Sequence, residues 1–255
     1  MITLPRTPSF RLDGKHALVT GAGRGLGLAA AAALAEYGAA VTLCSRTAAQ
    51  LEDVADAIRA NGGAASTLVC DVTDTEAFSA VIAAAEPFDI MVNNAGSAQH
   101  QTVPNVTEAA YDAVMDVNLR GAFFAAQAVI KRLIEAKQGG SIINISSQMA
   151  HVGGPQRAVY CASKFGMEGF TRAMAFDLVG TGIRVNTICP TYIETTLNRP
   201  YLANKAFLDF VMGKIKLGRL GRVEDLMGPV IFLASDASAL MTGSSLMLDG
   251  GWTAG

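Results

Sequence analysis

A tyrosine, a lysine and a serine stand close together in the sequence, and their side chains suit acid/base chemistry at a carbonyl or an alcohol. Tyr160 and Lys164 lie four residues apart in the string Tyr-Cys-Ala-Ser-Lys, so a helix would place both on one face. Ser147 ends an apolar strand pattern upstream of the tyrosine. A phenol has a pKa of about 10, which a neighbouring ammonium lowers, and a serine hydroxyl can hold a substrate oxygen. The alternative is an ordinary amphipathic helix, with the tyrosine in the core and the lysine in solvent.

A glycine-rich turn indicates phosphate binding. The string Thr-Gly-Ala-Gly-Arg-Gly-Leu-Gly at 20–27 follows the first predicted strand and opens a helix, where a doubly wound sheet holds a pyrophosphate. Gly21 permits a tight turn, Gly25 leaves room for the phosphate, and Gly27 lets the helix pack near the strand. A purely structural turn is the alternative, but the position favours an adenine dinucleotide at the helix N-terminus. The predicted contacts are Gly21, Gly23, Arg24, Gly25, Leu26 and Gly27.

Two asparagine motifs follow. The string Asn93-Asn94-Ala95-Gly96 combines amides that can tie strands together with small residues that let the chain pass close to a ribose, and it is also typical of a strand-end turn. Asn118 lies inside a helical pattern, where asparagine is a mediocre helix former. Its position predicts a kink that binds a water molecule. The alternative is that Asn118 lies at the surface or caps a helix.

Short β-branched runs alternate with helical patterns along the whole chain. The predicted strands are His16–Thr20, Ala40–Cys44, Ala65–Cys70, Asp89–Val92, Ser141–Ile145, Ile183–Ile188 and Ser245–Leu248. The β-α-β repeat predicts a single α/β domain over residues 1–255, a Rossmann-like doubly wound parallel sheet of about seven strands with helices on both faces.

The composition excludes several classes of protein. The 255 residues are 51% hydrophobic and 16% charged, which suits a large core. The net charge of −2 offers no attraction for nucleic acid or an anionic membrane. The four cysteines lack metal-ligand spacing and are typical of reduced core thiols, so no metal is predicted. No signal peptide and no apolar run of about 18 residues is recognised, which predicts a cytoplasmic protein. The acid/base residues above indicate a small-molecule substrate as its partner.

Together these motifs resemble the short-chain dehydrogenase/reductase family over essentially the whole chain, from Gly14-Lys15 to Asp249-Gly250-Gly251. The turn has the family's Thr-Gly-x-x-x-Gly-x-Gly spacing. The resemblance implies hydride transfer between a nicotinamide dinucleotide and a carbonyl/alcohol pair, with Tyr160 as the acid/base. It also implies a homotetramer, or a homodimer, with one interface formed by the two long central helices.

The resemblance also assigns roles to single residues. It implies that Ser147, rather than Ser146, is the catalytic serine. It implies a catalytic tetrad of Asn118, Ser147, Tyr160 and Lys164, in which Asn118 binds a water that relays the proton. Asp71 matches an adenine-contacting position. The further cofactor contacts that it implies are Tyr160, Lys164, Val72, Asn94, Ala95, Gly96, Pro190, Ile193 and Thr195.

The end of the second predicted strand bears on the choice between NADP(H) and NAD(H). Enzymes that prefer NAD carry an acid there for the ribose 2′-hydroxyl, but here Ser45 takes that position and Arg46 follows. A guanidinium suits a 2′-phosphate, and Arg24 is a second candidate. NADP(H) is therefore favoured over NAD(H), the alternative being that both arginines are simply exposed.

The segment from about 191 to 218 is expected to cover the substrate. The family's usual Pro-Gly is Pro190-Thr191 here, a departure that affects the local backbone. Arg157 and Arg199 could meet a carboxylate if they point inward. The predicted substrate contacts are Ser147, Gln148, His151, Gln156 and Tyr192.

The substrate class stays open between two kinds of family member. The C-terminal half looks closest to members that oxidise sugars and sugar acids, such as gluconate 5-dehydrogenase, and it also resembles 3-oxoacyl-carrier-protein reductases. A polar pocket would favour a sugar, polyol or sugar acid, and an apolar groove with a basic rim an acyl thioester. A non-catalytic NADP(H) sensor and a methyltransferase are alternatives of other classes, and the Tyr/Lys pair argues against both.

Overall fold

A seven-stranded parallel sheet forms the centre of the protein. The computed structural model describes residues 2–196 and 198–255. The strands lie in the order β3-β2-β1-β4-β5-β6-β7, and every neighbouring pair is parallel. Their bounds are β1 His16–Thr20, β2 Ala40–Ser45, β3 Ala64–Val69, β4 Ile90–Asn93, β5 Gly140–Ile145, β6 Ile183–Pro190 and β7 Ser245–Leu248. The predicted doubly wound parallel sheet is confirmed.

Helices cover both faces of the sheet. They are α1 Gly25–Glu36, α2 Ala48–Ala60, α3 Thr75–Ala84, α4 Glu108–Met115, α5 Ala122–Glu135, α6 Ala158–Asp177, α7 Arg199–Leu202, α8 Lys205–Lys214 and α9 Val223–Ala234. In β1, Ala17 and Val19 join the apolar core under α1, α2 and α9, whereas Leu18 joins the core under α3, α5 and α6. Burial on both faces explains why the strands are continuous apolar runs rather than alternating ones.

The helices α4 and α5 form one continuous helical run, joined by a π-helical segment at Asp116–Gly121. The sequence predicts two separate helices here, around Glu108–Val117 and Leu119–Lys137, but a π turn accommodates Asn118 without ending the helix. The 28-residue run Glu108–Glu135 is long and apolar enough to cross a membrane by length and composition, contrary to expectation. Half of its most apolar window is buried inside the protein, which is what a core helix requires.

The chain after β6 is held by an aromatic cluster. β6 runs two residues farther than predicted, to Pro190, because Cys189 and Pro190 pair with Met247 and Leu248 of β7. Beyond it, the ring centroid of Trp252 lies 5.7 Å from that of Tyr192 and 6.1 Å from that of Phe210 in α8. This cluster links the segment 191–218 to the C-terminal residues; within that segment, Leu197 lies outside the described residues.

Candidate active site

One cleft of about 510 Å³ runs along the carboxyl ends of the strands. It crosses the sheet between β1 and β4, where the strand order reverses, and such a switch point is where doubly wound sheets bind ligands. Every predicted cofactor residue except Gly27 lines this cleft. They are Gly21, Gly23, Arg24, Gly25, Leu26, Ser45, Arg46, Asp71, Val72, Asn94, Ala95, Gly96, Tyr160, Lys164, Pro190, Ile193 and Thr195.

The glycine turn between β1 and α1 is packed so closely that side chains cannot fit. Gly21 has a φ of +66°, in the left-handed region that favours glycine. A Cβ at Gly27 would lie 2.2 Å from the Gly21 carbonyl oxygen, so α1 approaches the end of β1 only because residue 27 has no side chain. Gly27 is thus buried behind the turn rather than exposed in the cleft. The bare turn followed by a helix N-terminus fits the pyrophosphate of a dinucleotide.

Thr20 and Asn94 tie the two central strands together beside this turn. The Thr20 hydroxyl accepts hydrogen bonds from the backbone N–H groups of Asn94, at 3.0 Å, and Ala95, at 3.1 Å. The Asn94 amide donates in return to the carbonyl oxygens of Thr20, at 3.0 Å, and Gly21, at 3.2 Å. The string at 93–96 therefore fixes the width of the cleft at its centre.

The residues predicted to select the cofactor lie at the end of the cleft formed by β2 and β3. The Arg46 side chain is 76% exposed, and its Nη1 lies 3.6 Å from Oδ2 of Asp71. The Ser45 hydroxyl accepts a hydrogen bond from the Thr47 N–H at 3.3 Å. Arg24 is exposed in the glycine turn. β2 ends in Ser45 rather than an acid, the nearby carboxylate of Asp71 pairs with Arg46, and the guanidinium groups of Arg24 and Arg46 border the cleft.

Lys164 is fixed beneath the cleft, one turn along α6 from Tyr160. Its ammonium donates a 2.8 Å hydrogen bond to the Ile145 carbonyl at the end of β5. Its Nζ lies 5.9 Å from the centroid of the Tyr160 ring. Burial lowers the pKa of Lys164 to about 8, and nearby Cys189 and Glu168 act against that fall. The ammonium is therefore the dominant form at neutral pH.

The phenol of Tyr160 and the hydroxyl of Ser147 meet at the same wall. Burial raises the pKa of Tyr160, and the Ser147 hydroxyl and the Arg157 guanidinium act to lower it. Ser147 is buried, donates to Oε1 of Gln148 at 2.8 Å and accepts from the Met149 N–H at 3.1 Å. The hydroxyl of Ser146, in contrast, is buried without a hydrogen-bond partner among the described residues.

Asn118 lies in the π-helical segment and is fully buried, which excludes a surface position. Its Oδ1 accepts from the Ser97 N–H at 2.8 Å, and its Nδ2 donates to the Ser97 carbonyl at 2.8 Å and the Ser163 hydroxyl at 3.2 Å. The side chain thus joins the loop after β4 to α6. The helical irregularity occurs at the residue where the sequence indicates one.

The substrate candidates divide into two groups. Ser147, Gln148 and Tyr192 line the cleft, and so does Arg157. His151, Gln156 and Arg199 do not line the cleft. All three are exposed, and His151 Nε2 lies 3.5 Å from Cys189 Sγ. Gln156 sits in a tight turn with a φ of +59°, which directs the chain into α6.

Several lining residues were not among the sequence candidates, and Ser97, His100 and Tyr201 are three of them. The rings of His100 and Tyr201 pack with centroids 4.2 Å apart. Burial, followed by the charge of Arg157, lowers the pKa of His100 to about 4, so its imidazole is neutral at neutral pH. The loop that leaves β4 at the carboxyl edge is the sequence signal that points to Ser97 and His100, whereas Tyr201 lies in α7, within the predicted segment 191–218.

A polar cluster surrounds the buried carboxylate of Glu168, between α6 and β6. The carboxylate of Glu168 accepts hydrogen bonds from Cys189 Sγ at 3.3 Å and from the Thr187 hydroxyl at 3.1 Å. Ligand-type atoms of His151, Glu168 and Cys189 lie within 4.8 Å of one another. Burial raises the pKa of the Cys189 thiol to about 12, so the protonated thiol serves as a hydrogen-bond donor.

Comparison with known proteins identifies close relatives over almost the whole length. A family model described as Enoyl-(Acyl carrier protein) reductase matches residues 21–253. D-erythrulose reductase of Gallus gallus is 39% identical over 245 residues, which cover 96% of this chain and 98% of that protein. Gluconate 5-dehydrogenase of Gluconobacter oxydans is 38% identical over 248 residues, 96% of each chain.

A solved structure is also similar to this chain over almost its whole length. The crystal structure of a gluconate 5-dehydrogenase from Burkholderia cenocepacia, in complex with NADP and tartrate, matches with a TM-score of 0.93 at 39% identity. The match covers 96% of this chain and 98% of that one.

Proposed function

This chain belongs to the short-chain dehydrogenase/reductase family and is an NAD(P)-dependent oxidoreductase, and we propose that it interconverts a secondary alcohol and a carbonyl of a sugar, polyol or sugar acid with NADP(H). The observation that carries this proposal is the meeting of Ser147, Tyr160 and Lys164 at one wall of the cleft that begins at the glycine turn. The polar lining of that wall, with Gln148 and His100, supports a hydroxylated substrate over an acyl thioester.

The proposed roles follow from the contacts. The glycine turn and the N-terminus of α1 bind the pyrophosphate, Asp71 and Val72 lie at the adenine, and Lys164 holds the nicotinamide ribose. The bound nicotinamide supplies the hydride in reduction and accepts it in oxidation. The remaining cofactor contacts proposed are Asn94, Ala95, Gly96, Pro190, Ile193 and Thr195, which all face the same cleft.

Tyr160 is proposed as the acid/base. In oxidation the substrate O–H proton passes to the phenolate as the C–H hydride leaves, and in reduction the phenol returns that proton to the developing alkoxide. Ser147 donates a hydrogen bond to the substrate oxygen. Burial raises the pKa of Tyr160, and Ser147 and Arg157 act against that rise. The Lys164 ammonium, 5.9 Å from the ring centroid, is proposed to favour the phenolate as well. Asn118 holds the π-helical segment through Ser97 and Ser163, and we propose that this segment positions the relay water.

Two finer assignments rest on particular residues. NADP(H) is proposed over NAD(H) because Arg46 and Arg24 flank a β2 end that lacks a carboxylate. The segment 191–218 is proposed to cover the substrate, since Tyr192, Asn198 and Tyr201 contribute to the cleft wall.

The protein is also proposed to act in the cytoplasm as a homotetramer, or a homodimer. Apolar side chains exposed on the long helices support association: Tyr111, Phe124 and Ile134 on the α4–α5 run. Light scattering coupled to gel filtration measures the mass and tests the assembly.

The decisive experiment removes the Tyr160 hydroxyl. The wild-type protein, assayed with NADP+ and NAD+ against sugars, polyols and sugar acids, is expected to turn over at least one of them. Tyr160→Phe should retain the fold and the cofactor dissociation constant measured by calorimetry, and lose at least about a hundredfold in kcat. Near-normal turnover in Tyr160→Phe would remove the phenol from its role. Cofactor binding without turnover of any substrate would favour the sensor.

A further inference from the structure

A buried guanidinium lines the substrate end of the cleft. Arg157 is 8% exposed and immediately precedes α6. Its guanidinium carbon lies 5.7 Å from the centroid of the Tyr160 ring and 5.8 Å from that of Tyr192. Its Nη2 donates a 3.1 Å hydrogen bond to the Tyr192 hydroxyl. Arg157 therefore stands beside the proposed acid/base, on the wall that also carries His100 and Gln148.

Among the described residues, this positive charge has no anionic partner. Across residues 2–196 and 198–255, no carboxylate oxygen lies within 4.0 Å of the Arg157 guanidinium. Two aromatic faces and one hydroxyl compensate only part of the cost of removing a guanidinium from water. A buried charge without a counter-ion is rare in proteins unless a ligand provides one. The Arg157 guanidinium borders the cleft, where a substrate would lie.

The proposed cofactor phosphates bind at the glycine turn and not beside the tyrosines that contact Arg157. The pyrophosphate is proposed to bind at the glycine turn, between β1 and α1. Arg157 contacts Tyr160 and Tyr192 instead, which belong to the reacting end. The anion must then come from the substrate itself.

The local charge indicates a monoanion. His100, the neighbouring titratable group, is neutral at neutral pH because burial lowers its pKa to about 4. Arg199, the other sequence candidate, is exposed and outside the cleft lining. A single guanidinium matches one carboxylate in charge and in its planar fork, whereas a phosphate dianion would leave a negative charge uncompensated. An acyl thioester carries no charge beside its carbonyl and would leave Arg157 unpaired.

We propose that Arg157 is the substrate-carboxylate site of this enzyme, and that its substrates are sugar acids rather than neutral sugars or polyols. The inference rests on the proposed function and narrows it to one substrate class. Tyr192 supports the site by holding the guanidinium through its hydroxyl. The carboxylate pairs with Arg157 while the hydroxyl to be oxidised meets Ser147 and Tyr160.

The test compares substrates that differ only in the carboxylate. Rates with NADP+ are measured for D-gluconate and other aldonates, and for their neutral alditols, with wild type, Arg157→Met, Arg157→Lys and the exposed control Arg199→Met. Wild type should prefer the aldonates. Arg157→Met should lose at least about thirtyfold more in kcat/KM for the aldonates than for the alditols, as expected when a buried charge pair is broken. The loss with alditols measures the separate effect of Arg157 on the Tyr160 phenol. Arg199→Met should behave as wild type.

A binding measurement provides a readout independent of turnover. D-gluconate titrated calorimetrically into the enzyme–NADPH complex forms a dead-end complex, because neither partner can react with the other. Wild type and Arg199→Met should bind it, and Arg157→Met should not. NADPH affinity should be the same in all variants. Arg157→Lys keeps the charge and loses the planar guanidinium, so its affinity for D-gluconate should be intermediate. This variant replaces Arg157→Met in the test if Arg157→Met does not fold.

Several results would overturn the proposal. One is a wild-type preference for sugar phosphates or for an acyl thioester such as acetoacetyl-CoA. Another is a wild-type preference for alditols, which would leave the proposed function intact. Another is an equal loss for charged and neutral substrates in Arg157→Met, with a displaced pH profile, which would show that Arg157 acts through the Tyr160 phenol. Absence of turnover with every compound would instead contradict the proposed function itself.

Discussion

The Lys164 ammonium donates a 2.8 Å hydrogen bond to the Ile145 carbonyl and is buried at the base of the cleft. This bond joins α6 to the end of β5, so the helix that carries Tyr160 is fixed to the strand that carries Ser147 into the cleft. The burial that makes the bond strong also penalises the charge. The titration of Lys164 in the site therefore makes the free energy of unfolding depend on pH.

The stability contributed by Lys164 should rise with pH in the alkaline range. Its pKa is about 8 in the folded protein, against an ordinary value of 10.5. Between these values the unfolded chain holds a proton that the folded chain has released, so the free energy of unfolding increases with pH. The difference in unfolding free energy between wild type and Lys164→Met should increase across that window, by at most about 3 kcal/mol.

Urea unfolding followed by circular dichroism, at fixed protein concentration, measures this difference. Below pH 8 it should be constant, because Lys164 is charged in both states. A difference that stays flat from pH 7 to 10.5 would contradict the low pKa.

The two adjacent serines should differ sharply on substitution. Ser147→Ala removes the hydroxyl that lies beside the Tyr160 phenol, and kcat/KM should fall by about a hundredfold or more. Ser146→Ala removes a buried hydroxyl that has no hydrogen-bond partner among the described residues. Its activity should stay within about threefold of wild type, and its unfolding free energy should change by less than about 1 kcal/mol. Comparable losses in the two variants would show that Ser147 is misassigned.

Charge reversal at Arg46 should alter cofactor preference. The Arg46 side chain is largely exposed beside Asp71, so Arg46→Asp would place two carboxylates where a 2′-phosphate is proposed to bind. The KM for NADP+ should rise at least about tenfold, while the KM for NAD+ stays the same or falls. The NAD+ kinetics of the same variant serve as the control, since they report any general damage. Equal changes for both cofactors would exclude a phosphate contact at Arg46.

Alanine at Gly27 should disrupt the glycine turn, whereas alanine at Gly169 should not. A Cβ at Gly27 meets the Gly21 carbonyl oxygen at 2.2 Å, and a Cβ at Gly169, also within a helix, meets nothing within 4 Å. Gly27→Ala should lower stability by more than about 2 kcal/mol and abolish cofactor binding. Gly169→Ala should raise stability by about 0.5–1 kcal/mol through its higher helix propensity. Thermal unfolding and calorimetric titration with NADPH check both, and normal NADPH binding in Gly27→Ala would refute the close-packing argument.

The sequence predicts the parallel sheet well because its strands are apolar at successive positions and its helices begin or end at Gly-rich turns. It predicts the phosphate turn and the Tyr160–Lys164 pair because both depend on local spacing. It predicts the α4–α5 run less well, since an asparagine in a helical pattern does not distinguish a break from a π turn. Three-dimensional contacts decide such a case, here the hydrogen bonds from Asn118 to Ser97 and Ser163.

Side-chain direction is the part of the site that spacing does not determine. Arg157 and Arg199 are equivalent in the sequence, yet one points into the cleft and the other into solvent. His151 and His100 show the same limitation, because the histidine near the serine does not line the cleft while the unpredicted one does. Each outcome depends on how a loop folds back over the sheet edge, which involves residues distant in the chain.

The packing of Trp252 gives the protein a built-in optical reporter. It is the single tryptophan of the chain, and it contacts Tyr192 and Phe210 of the segment 191–218, which is proposed to cover the substrate. Its emission therefore arises from one fluorophore whose quenching depends on where that segment lies. Time-resolved emission can follow segment movement on ligand addition without any attached dye.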